Sequence, residues 1–151
     1  MPSNLAADMD ESSFEIIIRN IIKNALESGS SAPIVVKAGM VSGVGLVVMV
    51  RDRGRGMTSD VLEKAFEPFF HSRPAHQKYD HSTGVGLGLS VARRLADAQG
   101  LRIKLRSELG RGTTAFVTIP ETLVRRSAPQ DSATATEISV IDPAELQKKT
   151  G

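Results

Sequence analysis

The chain has no cysteine and no tryptophan, and a single tyrosine among its 151 residues. Without cysteine there are neither disulfides nor thiolate metal sites, and the redox compartment is left open. So few large aromatics leave little surface on which bases could stack. Long apolar runs are missing too. The longest, Val44–Val50, is interrupted by Gly45 and falls far short of the roughly 20 residues of a membrane-spanning helix. The N-terminus, Met-Pro-Ser-Asn, lacks a basic segment followed by an apolar one, so no secretory leader is expected. Charge of one sign is not concentrated either. The formal net charge is +2 and the isoelectric point about 9.2. The basic residues look scattered: Arg51, Arg53 and Arg55 in one stretch, Arg93 and Arg94 in another, Arg125 and Arg126 in a third. Neither a nucleic-acid partner nor membrane contact by this chain is expected. What remains is an ordinary globular composition, 40% hydrophobic, long enough for one domain with its own core.

Residues 1–9 read as a loose leader. Ser12 and Glu15 fit a capping box, in which serine oxygen and glutamate carboxylate satisfy free amides at a helix start. Phe14, Ile17, Ile18, Ile21, Ile22 and Ala25 then follow helical spacing until Ser28-Gly29-Ser30-Ser31 ends the helix. Pro33–Lys37 and Leu46–Arg51 read as strands joined by a turn around Ser42-Gly43, and Thr58 can cap a short helix over Ser59–Ala65. From Pro68 to Thr83 the chain is polar and irregular, and holds His71, His76 and His81. A stretch of that kind inside a compact domain is usually functional or disordered. A second amphipathic helix runs from Gly86 to Ala98 and stops at Gly100. Strands at Arg102–Ser107 and Thr113–Ile119 follow, joined through Gly110-Arg111-Gly112. The order α-β-β-α-β-β predicts helices layered on one face of a mixed or antiparallel sheet. Residues 10–120 are then the domain. Past Pro120 the composition turns to Ser, Thr, Ala and Pro, and residues 121–151 read as linker or flexible tail.

Four segments carry chemistry. Asn20 and Asn24 lie one helical turn apart and project from one face. A neutral amide oxygen can ligate Mg²⁺ with phosphate oxygens completing the shell, although both amides could equally mark a helix's polar edge. The strand ending at Val50 leads into Arg51-Asp52-Arg53-Gly54-Arg55-Gly56-Met57. A carboxylate there can accept from an exocyclic amine such as adenine's, with glycines letting the main chain approach a flat ring. A plain Asp-Gly turn is the alternative. Phe66-Glu67-Pro68-Phe69-Phe70 is either core or the apolar anchor of a lid. Gly84-Val85-Gly86-Leu87-Gly88-Leu89 opens a helix, where free amides and the helix dipole favour an anion. Its spacing is neither the dinucleotide fingerprint nor a P-loop, and a glycine hinge would look the same.

In this order the four segments resemble the conserved boxes of the catalytic ATP-binding domain of bacterial two-component sensor histidine kinases. That family is grouped with DNA gyrase, MutL-type repair proteins and heat-shock chaperone ATPases. Asn20 to Glu27 resembles the N box, Asp52 to Met57 the G1 box, Phe66 to Phe70 the F box and Gly84 to Leu89 the G2 box; Gly112-Thr113-Thr114 resembles the closing Gly-Thr element. The resemblance covers roughly residues 10–120. It implies a two-layer α/β sandwich of the Bergerat type, helices on one face of a mixed sheet, with ATP and Mg²⁺ as cofactors. Asn24 would hold the metal and Asn20 support the phosphates. Asp52 would bind the adenine amino group, directly and through a water shared with Thr113, and Gly54 and Gly56 would give the ring room. Gly84, Gly86, Leu87 and Gly88 would wrap the phosphates. Met57, Phe66, Phe70, Thr83, Val85 and Leu89 complete the implied nucleotide set, with Arg73 and Lys78 as further candidates.

Hydrolysing members of the superfamily generally carry a glutamate one turn before the metal asparagine. Here that position is Asn20, which cannot act as a base. Transfer to a protein side chain fits better, and there positioning and charge neutralisation carry most of the catalysis. No histidine precedes His71, and the three histidines read as solvated loop residues. The resemblance implies a phosphoacceptor histidine on a dimerising helical hairpin outside this chain, with a response regulator downstream and the cytoplasm as location. Too little chain precedes Asp10 for the strand that usually opens such a domain. An anti-sigma-type serine kinase and a non-catalytic nucleotide-sensing scaffold are the alternatives.

Overall fold

The computed structural model describes residues 5–70, 86–126 and 140–141. Short strand β1 (Leu5–Ala7) precedes helix α1 (Glu11–Glu27), and a hairpin of β2 (Ile34–Val41) and β3 (Gly45–Arg51) follows. Helix α2 (Ser59–Glu63) and helix α3 (Gly88–Ala98) come next, then a second hairpin of β4 (Arg102–Glu108) and β5 (Gly112–Pro120). A 3₁₀ turn over Glu121–Leu123 leads to β6 (Val124–Arg126), and β7 (Val140–Ile141) adds to the sheet edge. The main sheet has the order β4-β5-β3-β2-β7. Every described pairing is antiparallel, so among the described strands the sheet is not mixed: the two hairpins dock through their inner strands, β3 and β5.

Cross-strand register sorts the side chains by face. Val36, Val50, Ala115 and Leu105 form one row, Ala38, Val48, Val117 and Ile103 the next, and these rows face the helices. Against them α1 buries Ile17, Ile21 and Ala25, while α3 buries Ser90, Ala92 and Ala96. The small buried residues of α3 let the two helices come together over a core in which Ile17, Ile34, Val50, Val117 and Ile119 are the largest enclosed side chains. The result is a two-layer sandwich with helices on one face, and among the described residues no helix covers the other. No helix among the described residues is long and apolar enough to cross a membrane.

Several boundaries differ from the sequence expectation. Residues 5–7 are not a loose leader: they pair with β6, Leu5 opposite Arg126 and Ala7 opposite Val124. The Asp8 amide donates to Leu123 O (2.8 Å) and Arg125 Nη2 reaches Asp8 Oδ2 at 2.9 Å. Residues before Asp10 thus do form a strand, and the expected linker begins inside the fold, because main-chain pairing needs no apolar side chains. The first helix is capped by Asp10 rather than by a box at Ser12; Asp10 Oδ2 accepts from the Ser13 amide at 2.8 Å. The Asp10 amide in turn donates to Gln99 Oε1 (2.6 Å), tying the start of α1 to the end of α3. Helix α3 begins at Gly88, not Gly86, since Gly86 has φ +74, outside the right-handed helical region. Thr58 caps α2 as expected, accepting from Val61 N.

Candidate functional site

Three segments meet over one end of the helix layer: the C-terminal half of α1, the loop after β3, and the start of α3. Between them lies a cavity of about 430 Å³, within the range of small-molecule sites.

The loop after β3 forms one wall. Asp52 is 4% exposed, and its Oδ1 accepts from the Gly54 amide (2.8 Å) and the Thr113 amide (3.3 Å). Its own amide donates to Thr113 O at 2.9 Å, continuing the β3–β5 ladder by one residue. Both side-chain bonds engage Oδ1, which leaves Oδ2 to accept from something in the cavity. A buried carboxylate needs that satisfaction to be tolerated.

The loop is then fastened on two sides. Towards α1, the Arg55 amide donates to Ser28 O (3.0 Å) and Arg55 Nη2 to Glu27 O (3.1 Å). Towards the β4–β5 hairpin, Gly110 N donates to Arg55 O (2.7 Å), and Met57 N donates to Ser107 Oγ (2.8 Å). Ser107 Oγ also lies 3.1 Å from Gly112 O and 2.8 Å from Thr113 Oγ1, so one hydroxyl joins the loop to both ends of the hairpin turn. The glycines serve this closeness. Gly56 has φ +65, and a Cβ there would stand 2.0 Å from Glu108 O, which only glycine avoids.

On α1, Asn20 and Asn24 are half-buried on the cavity wall. Asn20 Nδ2 donates back to Ile16 O (3.0 Å), while its Oδ1 stands 3.0 Å from where a Cβ on Gly88 would be. The start of α3 therefore rests against the asparagine helix because residue 88 has no side chain. Leu87 offers no side-chain cap, so the first amides of α3 lack the usual acceptor. Next to this start, Phe69 N donates to Gly86 O (3.0 Å). That bond holds Phe69 beside Gly86, and Phe69, at φ +62 and 66% exposed, is in a left-handed conformation.

Of the residues singled out in the sequence, Asn20, Asn24, Asp52, Gly56, Met57, Phe70, Gly86, Leu87, Gly88, Leu89 and Thr113 line this cavity. Gly54 does not: a Cβ there would clash with Ser28 Oγ, so its lack of a side chain lets the loop lie against the end of α1. Phe66 does not either; it packs against the core with the Arg93 guanidinium 4.8 Å from its ring centroid. Thr83, Gly84, Val85, Arg73, Lys78 and the histidines lie outside the described residues. Further walls come from Val50, Ala115 and Leu105 of the sheet, from Val61 and Ala65, and from the cations Lys23 and Arg55. Val50, Ala115 and Leu105 belong to one cross-strand row, which is invisible until register is known. Ser107 carried no sequence signal, being one serine at a strand end.

Among the described residues no cluster of three or more His, Cys, Asp or Glu side chains could hold a metal alone. The neutral Asn24 amide instead fits a hard cation that arrives with phosphate oxygens around it.

Residues 9–123 match the family described as "Histidine kinase-, DNA gyrase B-, and HSP90-like ATPase". The chain is 32% identical over 136 residues to the sensor histidine kinase AtsR of Burkholderia thailandensis, an alignment covering 87% of this chain and 22% of that protein. It is 34% identical over 136 residues to the histidine protein kinase DivJ of Caulobacter vibrioides, covering 89% of this chain and 21% of DivJ. Full-length ShkA, crystallised in complex with AMPPNP, superposes with a TM-score of 0.66 at 28% identity, covering 88% of this chain and 26% of ShkA. The chain thus spans about a fifth of the length of the curated relatives it matches.

Proposed function

The chain belongs to the family of histidine kinase-, DNA gyrase B- and HSP90-like ATPases, and from that premise we propose that it binds Mg-ATP in this cavity and donates the γ-phosphoryl group to a histidine on a dimerising helical domain outside residues 1–151. The observation that carries the reading is Asp52: a buried carboxylate, positioned through Oδ1 by two backbone amides, facing the same cavity as Asn24 and the uncapped start of α3.

In this reading Asp52 accepts from the adenine amino group, with Thr113 beside it and Gly56 and Met57 along the ring. Asn24 supplies an amide oxygen to Mg²⁺, which offsets phosphate charge, and Asn20 supports the phosphates. Gly86 and Leu87, with Gly88 and Leu89 at the start of α3, would present backbone amides and the helix dipole to the same charge, and Thr83, Gly84 and Val85 are proposed to add to that contact. Arg55 adds cationic charge to the wall, where Lys23 is paired with Glu27. Position 20 offers an amide and no carboxylate, so water is not activated there and transfer outcompetes hydrolysis. The sensor histidine kinases AtsR and DivJ among the relatives favour a histidine acceptor over a serine one. A response regulator would then take the phosphoryl group, in the cytoplasm where ATP is available.

Isothermal titration with ADP and with AMPPNP, with and without Mg²⁺, tests the reading. Micromolar, Mg²⁺-sensitive binding is expected; absence of heat with a folded protein overturns it.

A further inference from the structure

On the sheet face that carries no helix among the described residues, the register places Gly39, Val47, Thr118 and Arg102 in one row. Lys37, Met49, Phe116 and Lys104 form the next, and Val35, Arg51, Thr114 and Arg106 the third. Lys37, Arg51, Arg102, Lys104 and Arg106 are exposed, and none of them makes a salt bridge among the described residues. No carboxylate stands in the three rows. The open face of an antiparallel sheet is ordinarily polar and of mixed charge; here it is cationic around an apolar centre of Val47, Met49 and Phe116, all half-buried.

We propose that this face is a docking surface for an acidic protein, one that presents an apolar ridge between two lines of carboxylates. The middle row has the required shape. Lys37 and Lys104 stand at its two ends with Met49 and Phe116 between them, three strand spacings or about 14 Å apart. An α-helix, about 10–12 Å across with its side chains, fits between those ends. Its apolar stripe would cover Met49 and Phe116 and its acidic flanks would meet the lysines, giving the apolar centre and charged rim of a protein interface.

The alternatives match less of what the face offers. Phe116 is the aromatic ring in these rows, and it is half-buried with the Arg106 guanidinium 5.6 Å from its centroid, so it is closed to base stacking. Val35, Val47 and Met49 are half-buried as well and do not protrude to enter a lipid surface. The face lies across the sheet from the nucleotide cavity, so occupation of one leaves the other free.

The test uses the whole chain and a labelled synthetic helical peptide with a leucine stripe flanked by glutamates, followed by fluorescence anisotropy at low and high salt. Wild-type binding should weaken as salt rises. It should fall at least about tenfold in Lys37→Glu/Lys104→Glu, as expected when several exposed charge pairs turn repulsive together, and fall also in Met49→Ser. Unchanged Tm and AMPPNP affinity show that the variants are folded, and Lys37→Gln/Lys104→Gln replaces the reversal if it is not. Equal binding by wild type and the double variant overturns the proposal. So does tighter binding of duplex DNA, or of phosphatidylserine–phosphatidylcholine vesicles, through the same two lysines.

Discussion

Asp52 and Asn24 make different demands on their surroundings, and their replacements should fail differently. Asp52→Ala removes an acceptor on which the Gly54 and Thr113 amides depend. Leaving such donors unpaired costs about 1–3 kcal/mol, which chemical denaturation will read. The same variant should lose adenine nucleotide binding in calorimetry while remaining folded, and unchanged affinity would remove Asp52 from the adenine subsite. Asn24 is half-buried, so Asn24→Ala should leave stability within about 0.5 kcal/mol. What it should lose is the dependence of AMPPNP affinity on Mg²⁺; a titration indistinguishable from wild type would reject the metal role.

At the scale of elements, the site is held by brackets outside the four sequence segments. Ser107 fastens Met57, Gly112 and Thr113 with one hydroxyl. Ser107→Ala should destabilise the fold by about 1–3 kcal/mol and weaken nucleotide binding without contact to the ligand; an unaltered Kd would show that the loop keeps its shape without the bracket. Helix α1 depends on its cap in a pH-dependent way. Hydrogen bonds from Ser13, the side chain first and the amide second, hold the Asp10 carboxyl below its ordinary value of 3.8. A carboxylate whose folded-state value is lowered contributes stability above its unfolded value and loses it as pH falls through the lower one. The stability difference between wild type and Asp10→Ala in urea should therefore be full near neutrality and vanish as pH drops below 3.8. A difference independent of pH would mean that the charge of the cap does not matter.

At the scale of the whole molecule, one enclosed core supports both the cavity and the open face. Ile17, fully buried on α1 between the sheet and α3, carries a share of it. Ile17→Ala should cost about 2–5 kcal/mol, measurable as a fall in Tm, and a smaller loss would show that the helix layer collapses to fill the space. Sequence alone determined what depends on local chemistry. The apolar spacing of Ile17, Ile21 and Ala25, the threonine cap of α2, the position of Asp52 at a strand end and the glycines before α3 follow from periodicity and turn chemistry. Each of those features is contained within a few residues of chain, so the family resemblance could be read from them. Tertiary structure decided what depends on partners far apart in sequence. It paired β1 with β6, set Gly54 against Ser28, set Ser107 under the Asp52 loop and drew Lys37, Arg51 and three cations of β4 onto one face. The reason is physical: cross-strand register and main-chain pairing are set by packing across the whole sheet, and a run of alternating residues does not state which strand will lie beside it.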